Sequence, residues 1–261
     1  KAKKEKRDIL NEIESKTFLE LYGIKTTKPQ IAETEKKAAD IAEKIGYPVV
    51  MKILSPQITH KTEVGGVAVD LRCESDVKKT FIEMIKRAKE KVPEAKILGV
   101  TIQKMVKHKG YELILGSKKD PIFGSVILFG LGGIYTELFK DRAIGFPPLN
   151  QVLAHRIIEK TKAYNLLKGF RGIPPVDMKK VEETMVEFSQ LIIDNPEIKE
   201  VDINPLIVND NDLIALDARI ILDNEPDKHP HLVIAPYPTK YIKKVKLKDG
   251  TNVLLRPIKP E

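Results

Sequence analysis

Apolar residues at Ile9, Ile13 and Leu21, with Leu10 and Phe18 beside them, recur at the spacing of an amphipathic helix that ends at Gly23. A second helical pattern begins near Thr34, runs through Ala38, Ala39, Ile41, Ala42 and Ile45, and meets a stop at Gly46. The period then shortens. Residues 48–53 form an apolar run broken by Lys52, the pattern of a buried strand, and 66–71 reads as another. The stretch 76–91 predicts a helix capped by Ser75. Strand signals recur at 99–105, 111–116, 125–129 and 135–138, with Gly130-Leu131-Gly132-Gly133 as a flexible turn between the last two. Helical patterns return over 150–160 and 178–193. Strands outnumber helices and many are joined by short links, so the fold class is α+β with mainly antiparallel sheets rather than a doubly wound sheet.

The last strand signals are the most specific. Two apolar runs, 200–208 and 213–219, flank the turn formers Asn209, Asp210, Asn211 and Asp212, the pattern of a β-hairpin. A turn centred between Asp210 and Asn211 sets Asn204 opposite Asp217 and Asp202 opposite Arg219, and strict alternation places all four on one face. Opposed Cβ atoms lie about 5 Å apart, close enough for a carboxylate and an amide oxygen to share a small hard cation. Magnesium is the natural candidate, since it takes few protein oxygens and fills its shell with water and phosphate. The same alternation extends that face through Leu206, Val208, Leu213 and Ala215. It turns Ile203, Pro205, Ile207, Ile214, Leu216 and Ala218 inward, with Pro205 at an edge or bulge because it lacks an N–H.

Other polar residues interrupt apolar runs. Lys52 inside a buried strand either snorkels to an edge or meets an anion such as a nucleotide phosphate. Paired glycines at the mouth of the next strand, Gly65 and Gly66, allow backbone N–H groups to approach phosphates. His60 lies in the same loop, where it is a polar surface residue or, beside a phosphate site, a nucleophile that forms phosphohistidine. His108, His155, His229 and His231 have no such neighbours and read as surface residues. Gln103, Lys104, Met105 and Val106 end a strand before His108-Lys109-Gly110, a hinge whose backbone suits an adenine against which Met105 packs. Glu112 interrupts an apolar strand and is a ribose or metal ligand, or a salt-bridged strand residue.

Composition narrows the classes. The chain of 261 residues is 42% hydrophobic, enough for one two-lobed domain or two smaller ones. No apolar stretch approaches the length of a membrane helix, and the Lys-rich start lacks a signal-peptide core, so a cytoplasmic protein with no membrane partner is expected. One cysteine, Cys73, excludes an internal disulfide and a cysteine zinc site, and is most simply a small residue at a strand end. The formal charge of +8 comes from Lys scattered among Glu, with no Trp and 6% aromatics, which argues against nucleic acid as a partner. From Asp223 onward Pro226, Pro230, Pro236 and Pro238 mark an extended linker, and both ends of the chain read as cut from something longer.

Together these residues resemble an ATP-grasp domain: a lysine strand, a glycine loop, a hinge with a following Glu, and a distal Asp/Asn hairpin. More narrowly, Ser55-Pro56, His60-Lys61-Thr62, Val64-Gly65-Gly66-Val67, Gly130-Leu131-Gly132-Gly133-Ile134, Pro147-Pro148-Leu149 and Asp202-Ile203-Asn204-Pro205-Leu206 resemble the β subunit of NDP-forming acyl-CoA synthetases, relatives of succinyl-CoA synthetase. The resemblance implies two α/β lobes enclosing a nucleotide cleft over residues 1–222, the smaller about 25–103 and the larger about 104–222, with 223–261 as linker and the first strand of a truncated domain. It also implies a reversible reaction in which acyl-CoA, phosphate and ADP give acid, CoA and ATP. Lys52, Gly65, Gly66, Gln103, Lys104, Met105, Val106 and Glu112 would hold ATP or ADP, and Asn204 and Asp217 would hold Mg2+. His60 would carry the phosphoryl group, oriented by Asp202 or Glu200. Partner domains, α-subunit-like, would supply CoA binding and the acyl phosphate, so that this chain alone binds nucleotide without completing the ligase reaction. The tail 245–261 is similar to the opening strand of a GNAT acetyltransferase. That likeness implies an alternative, a nucleotide- or metabolite-sensing regulatory module of a fused protein lysine acetyltransferase.

Overall fold

The computed structural model describes residues 2–5, 7–58, 61–106, 110–133, 141–209, 212–225, 231–234 and 242–258. The expectations placed on His60, His108, His229, the 135–138 strand, the tip of the 209–212 turn and the four prolines of the linker lie outside these residues. Two sheets dominate. The smaller has four strands in the order β1 (Gln30–Ala32), β4 (Gly99–Lys104), β2 (Val49–Leu54) and β3 (Val67–Leu71). Its pairings are antiparallel. Helices α2 (Glu35–Ile45) and α3 (Glu74–Lys91) cover one face, and Val49, Met51, Ile53, Val100 and Ile102 meet them there in one core. Strand alternation leaves Ile31, Val50, Lys52, Leu54, Thr101 and Gln103 on the other face.

The helix boundaries follow local chemistry. Thr34 caps α2 through the Lys37 N–H, and Gly46 at φ +86° ends it. Helix α3 starts two residues earlier than its sequence pattern suggests. Its N-cap is Cys73, which forms no side-chain cap, so neither Ser75 as cap nor Cys73 as a strand residue holds.

The larger sheet has six strands: β10 (Arg219–Leu222), β8 (Ile198–Val208), β5 (Tyr111–Asp120), β6 (Gly124–Leu131) and β7 (Arg142–Gly145) in order, with β9 (Leu213–Ala215) also paired to β8. Helices α4 (Gln151–Glu159), α5 (Ala163–Leu167) and α6 (Met178–Asp194) pack on one face, where Phe129, Phe188, Leu113, Leu115 and Ile203 form a second core. The flexible turn expected over 130–133 starts later, because Gly130 and Leu131 still belong to β6; Gly130 and Gly132 are places of close approach, where a Cβ would overlap the backbone carbonyl of Asp141 or Leu113.

Helix α1 (Glu12–Leu21) joins this larger core through Leu19, and the chain before it bonds to β10 through Leu10 N and Ile220 O at 3.0 Å. Asn11 and Glu14 close a capping box at its start. The buried residues of α1 are Glu12, Ser15, Lys16 and Leu19, whereas Leu21 is 75% exposed. The apolar stripe read from the sequence is therefore only partly right: Leu10 and Phe18 pack half-buried against the larger core, while Leu21 faces out and the most deeply buried positions are Glu12, Ser15, Lys16 and Leu19. Residues 243–255 form a separate two-stranded hairpin, β11 (Lys243–Lys246) with β12 (Asn252–Leu255). Among the described residues no helix is long and apolar enough to cross a membrane.

Candidate functional site

The hairpin pairs in the expected register. Arg219 lies opposite Asp202 on β10 and β8, and Leu206 opposite Ala215 on β8 and β9. One feature departs from simple alternation. Leu113 pairs with Leu206 but Leu115 with Ile203, so two residues, Asn204 and Pro205, oppose the single Ile114. This bulge inverts the phase of β8. Ile203 and Val201 face the helices before it, and Leu206 and Val208 face them after it. Leu206, Val208, Leu213 and Ala215 therefore belong to the core, not to the polar face. Ile207 and Ile214, expected to face inward, lie on the side that carries Asp202, Glu112 and Arg219.

That side borders a cleft of about 790 Å³. From the larger sheet Asp202, Asn204, Asp217 and Arg219 line it, and from the smaller lobe Ile31, Leu54, Ser55, Ile58 and Lys61. The segment leading into α1, including Asn11 and Glu12, forms the remaining wall. Asn204 Oδ1 accepts the Gly133 N–H at 2.8 Å, and a Cβ at Gly133 would overlap the Glu112 carboxylate, which sets Glu112 beside this amide. Asp217 Oδ1 accepts its neighbour's N–H from Ala218 at 3.0 Å and lies 3.6 Å from Lys52 Nζ. Burial pushes the Asp202 carboxyl up, against the pull of Arg219, so its proton is held more tightly than an exposed aspartate's. Glu200 instead accepts from Arg219 at 2.8 Å.

Behind the cleft lies a network the sequence did not announce. Lys52, 7% exposed, donates to Glu12 Oε1 at 2.8 Å and to the Leu216 carbonyl at 3.0 Å. Lys16, 1% exposed, donates to the same Glu12 oxygen, to Thr27 Oγ1 and to Gln103 Oε1, each at 2.8 Å. Lys61 Nζ stands 3.5 Å from Glu12 Oε2. Burial would raise the Glu12 pKa, but Lys52, Lys16 and Lys61 outweigh it and hold it at about 2. Burial and the neighbouring Lys52 push Lys16 down to about 8. Lys52 is pulled down by burial and raised overall by Asp217 and Glu12.

Several expected contacts are engaged elsewhere. The side chain of Gln103 is buried in the Lys16 network and also accepts from Thr27 at 2.8 Å. The Met105 N–H bonds to Pro48 O at 3.1 Å, while Lys104 is exposed and Met105 and Val106 are half-buried at the end of β4. Gly65 N donates to Thr62 O at 3.0 Å and Gly66 N to Lys61 O at 2.7 Å. Both N–H groups thus close the turn instead of lying open to a phosphate. The glycines are needed because Gly65 has φ +66° and a Cβ on Gly66 would overlap Ile53. Among the described residues no cluster of three His, Cys, Asp or Glu could hold a metal, so any cation would rest on a smaller set with an amide or substrate oxygens.

Two sheets, each helix-covered on one face and carrying mixed polar and apolar residues on the other, here enclose a cleft with a lysine strand on one side and an Asp/Asn hairpin on the other. A family model described as an ATP-grasp domain matches residues 1–222. The chain belongs to the ATP-grasp family.

Its sequence relatives include the acetate–CoA ligase [ADP-forming] I subunit beta of Pyrococcus furiosus, 40% identical over 222 residues that make up 85% of this chain and 95% of that one. The acetate–CoA ligase [ADP-forming] I of Archaeoglobus fulgidus is 42% identical over 79% of this chain, but the match spans only 30% of its length. Among solved structures, acetyl-coenzyme A synthetase 1 of Ca. Korarchaeum cryptofilum, in complex with coenzyme A and Ca-AMPCP, superposes with a TM-score of 0.82 at 42% identity, covering 85% of this chain and 96% of that one. Another complex of that enzyme contains Mg-AMPPCP and a phosphohistidine segment pointing towards the nucleotide binding site (TM-score 0.75, 39% identity, 85% and 96% covered). In this ATP-grasp domain, Glu12, Lys16 and Lys61 are the site-region residues that sequence reasoning passed over. A Glu and a Lys four residues apart normally mark a solvated helix face, and only Leu19, one more turn along, hints that this face is buried.

Proposed function

We propose that the chain is the ATP-grasp half of an NDP-forming acyl-CoA synthetase. It binds ADP or ATP with magnesium and relays a phosphoryl group through His60 between an acyl phosphate and the nucleotide. The observation that carries this reading is the convergence of Lys61, Asp202, Asn204 and Asp217, drawn from both lobes, on one cleft. Magnesium fits the donors there. Asp217 engages Lys52 and Ala218 through Oδ1, which leaves Oδ2, and Asn204 Oδ1 keeps a lone pair beyond the one Gly133 uses. These two residues would hold the ion, which neutralises phosphate charge when bound.

Ile58 and Lys61, on either side of the histidine segment, both line the cleft, which supports His60 as the phosphoryl carrier. Asp202 is better suited than Glu200 to orient it, because Asp202 borders the cleft while Glu200 is committed to Arg219. Lys52 would face the phosphates, with Lys104, Met105, Val106 and Glu112 toward the base and ribose. Gly65, Gly66 and Gln103 support the fold of this region and are given no ligand contact.

CoA binding and formation of the acyl phosphate fall to partner domains, carried on a separate subunit or on the same parent chain, in a cytoplasmic setting. The matched region ends at residue 222, so an acetyltransferase rests on the tail's likeness alone and forms no part of this reading. Millimolar Mg-ADP or Mg-ATP should raise the melting temperature, since a ligand at a hundred times its Kd adds about 2.7 kcal/mol. The absence of any shift would remove the nucleotide site. With the acyl-phosphate half and labelled phosphate added, acid-labile, base-stable label should appear on the wild type and vanish in His60→Ala. An unlabelled wild type would refute the relay.

A further inference from the structure

The Glu12 cluster places several ionised groups where the two lobes meet. Buried ion pairs are often replaced by apolar residues at no loss of stability, so several ionised groups at a lobe junction invite a reason. Their arrangement supplies one. Glu12 stands on α1, which is rooted in the core of the larger lobe by Leu19, whereas Lys52 and Lys61 belong to β2 and the loop before β3 of the smaller lobe. Glu12 Oε1 is shared by Lys16 and Lys52 at 2.8 Å each. Its Oε2 is buried and accepts no hydrogen bond, with Lys61 Nζ at 3.5 Å. Lys61 is therefore held by charge but not by a closed hydrogen bond, and it lines the cleft with Asp202, Asn204 and Asp217. The other acceptors on Lys52 are the Leu216 carbonyl and, at a longer 3.6 Å, Asp217. The ammonium groups of Lys16, Lys52 and Lys61 thus share the carboxylates of Glu12 and Asp217.

We infer that Glu12 is a positioning residue: from the larger lobe it fixes the ammonium groups of Lys52 and Lys61 toward the phosphates of a bound nucleotide. This rests on the nucleotide site proposed above. Lys16 has a different part. Its three N–H groups are satisfied by Glu12, Thr27 and Gln103, so it anchors the carboxylate without addressing the ligand, whereas Lys52 makes two such bonds and only a longer contact to Asp217.

The test separates positioning from mere support of the fold by asking whether the loss depends on phosphate. Binding of Mg-ATP, Mg-ADP, AMP and adenosine is measured by calorimetry on the whole chain, for the wild type, Glu12→Gln and Lys16→Met, alongside thermal unfolding. In Glu12→Gln the Kd for Mg-ATP should rise about tenfold or more, the scale of a charged hydrogen bond, with adenosine changed less than about twofold. Lys16→Met should lower the melting temperature while keeping the ratio of Mg-ATP to adenosine affinity. If Glu12→Gln fails to fold, the double variant with Lys16→Met, which removes one of the stranded cations, takes its place with the same expected ratio. An equal loss for all four ligands, or none, would overturn the inference while leaving the nucleotide site intact. A wild type that binds no nucleotide would overturn both.

Discussion

Replacing Gly133 with Ala tests whether the cleft is assembled as described. Gly133 has φ +64°, donates its N–H to Asn204 Oδ1 at 2.8 Å, and leaves no room for a Cβ beside the Glu112 carboxylate. A non-glycine residue in the left-handed region costs about 1–2 kcal/mol. The Glu112 carboxylate must then move away from its place beside the Gly133–Asn204 bond, a loss of about 1 kcal/mol. The expected destabilisation is about 2–3 kcal/mol, or about 4–12 °C in melting temperature for a domain of this size. Urea unfolding measures it, with Gly172→Ala as the reference. Gly172 also has positive φ, +85°, but a Cβ there meets nothing within 4 Å, so it reports strain alone. Gly133→Ala should exceed the reference by about 1 kcal/mol and should also weaken Mg-nucleotide binding through the loosened Asn204. Equal costs at the two positions would refute the packing of Gly133 against Glu112 and Asn204.

The Glu12 carboxyl has its folded pKa depressed to about 2 from 4.5, so its contribution is present above pH 4.5 and is lost as pH falls toward 2. That contribution is about 3 kcal/mol, and acid unfolding of Glu12→Gln should lack this part of the pH dependence. Lys119→Met removes a buried ammonium that holds Asp223 Oδ2 at 2.9 Å and the Pro196 carbonyl at 2.8 Å. It should cost about 3 kcal/mol in urea unfolding because Asp223 is left without that partner. Asp217→Asn should abolish the magnesium dependence of nucleotide-induced thermal stabilisation, and retention of that dependence would move the ion elsewhere.

Local chemistry carried much of this fold. The register of the 202–219 hairpin followed from its turn formers, and the bounds of α2 from Thr34 and Gly46. The cleft carboxylates could be found because polar residues inside apolar strands stand out. Failures came where distant contacts overrode local pattern. Glu12 and Lys16, a Glu and a Lys four apart, read as a solvated face, with Leu19 the one nearby hint to the contrary, yet Gln103, 87 positions from Lys16, completes their burial. Gly65 and Gly66 were legible as special backbone positions, but the use of their N–H groups depends on a turn that closes over Lys61 and Thr62. Pro205 announced an edge or a bulge, and only the pairing with β5 shows that it is a bulge and that it inverts the phase of β8.

That bulge gives β8 two independent faces in sequence as well as in space. Straight pairing through Asn204 and Pro205 would either drive Asp202 into the core beside Phe129 and Phe188 or turn Leu206 and Val208 away from that core. The extra residue makes both errors unnecessary, and it makes the slipped alternatives costly. Substitutions at Asp202 or Asn204 can therefore retune the cleft without repacking the helices behind it, whereas deletion of a single residue at 204 or 205 would couple the two again.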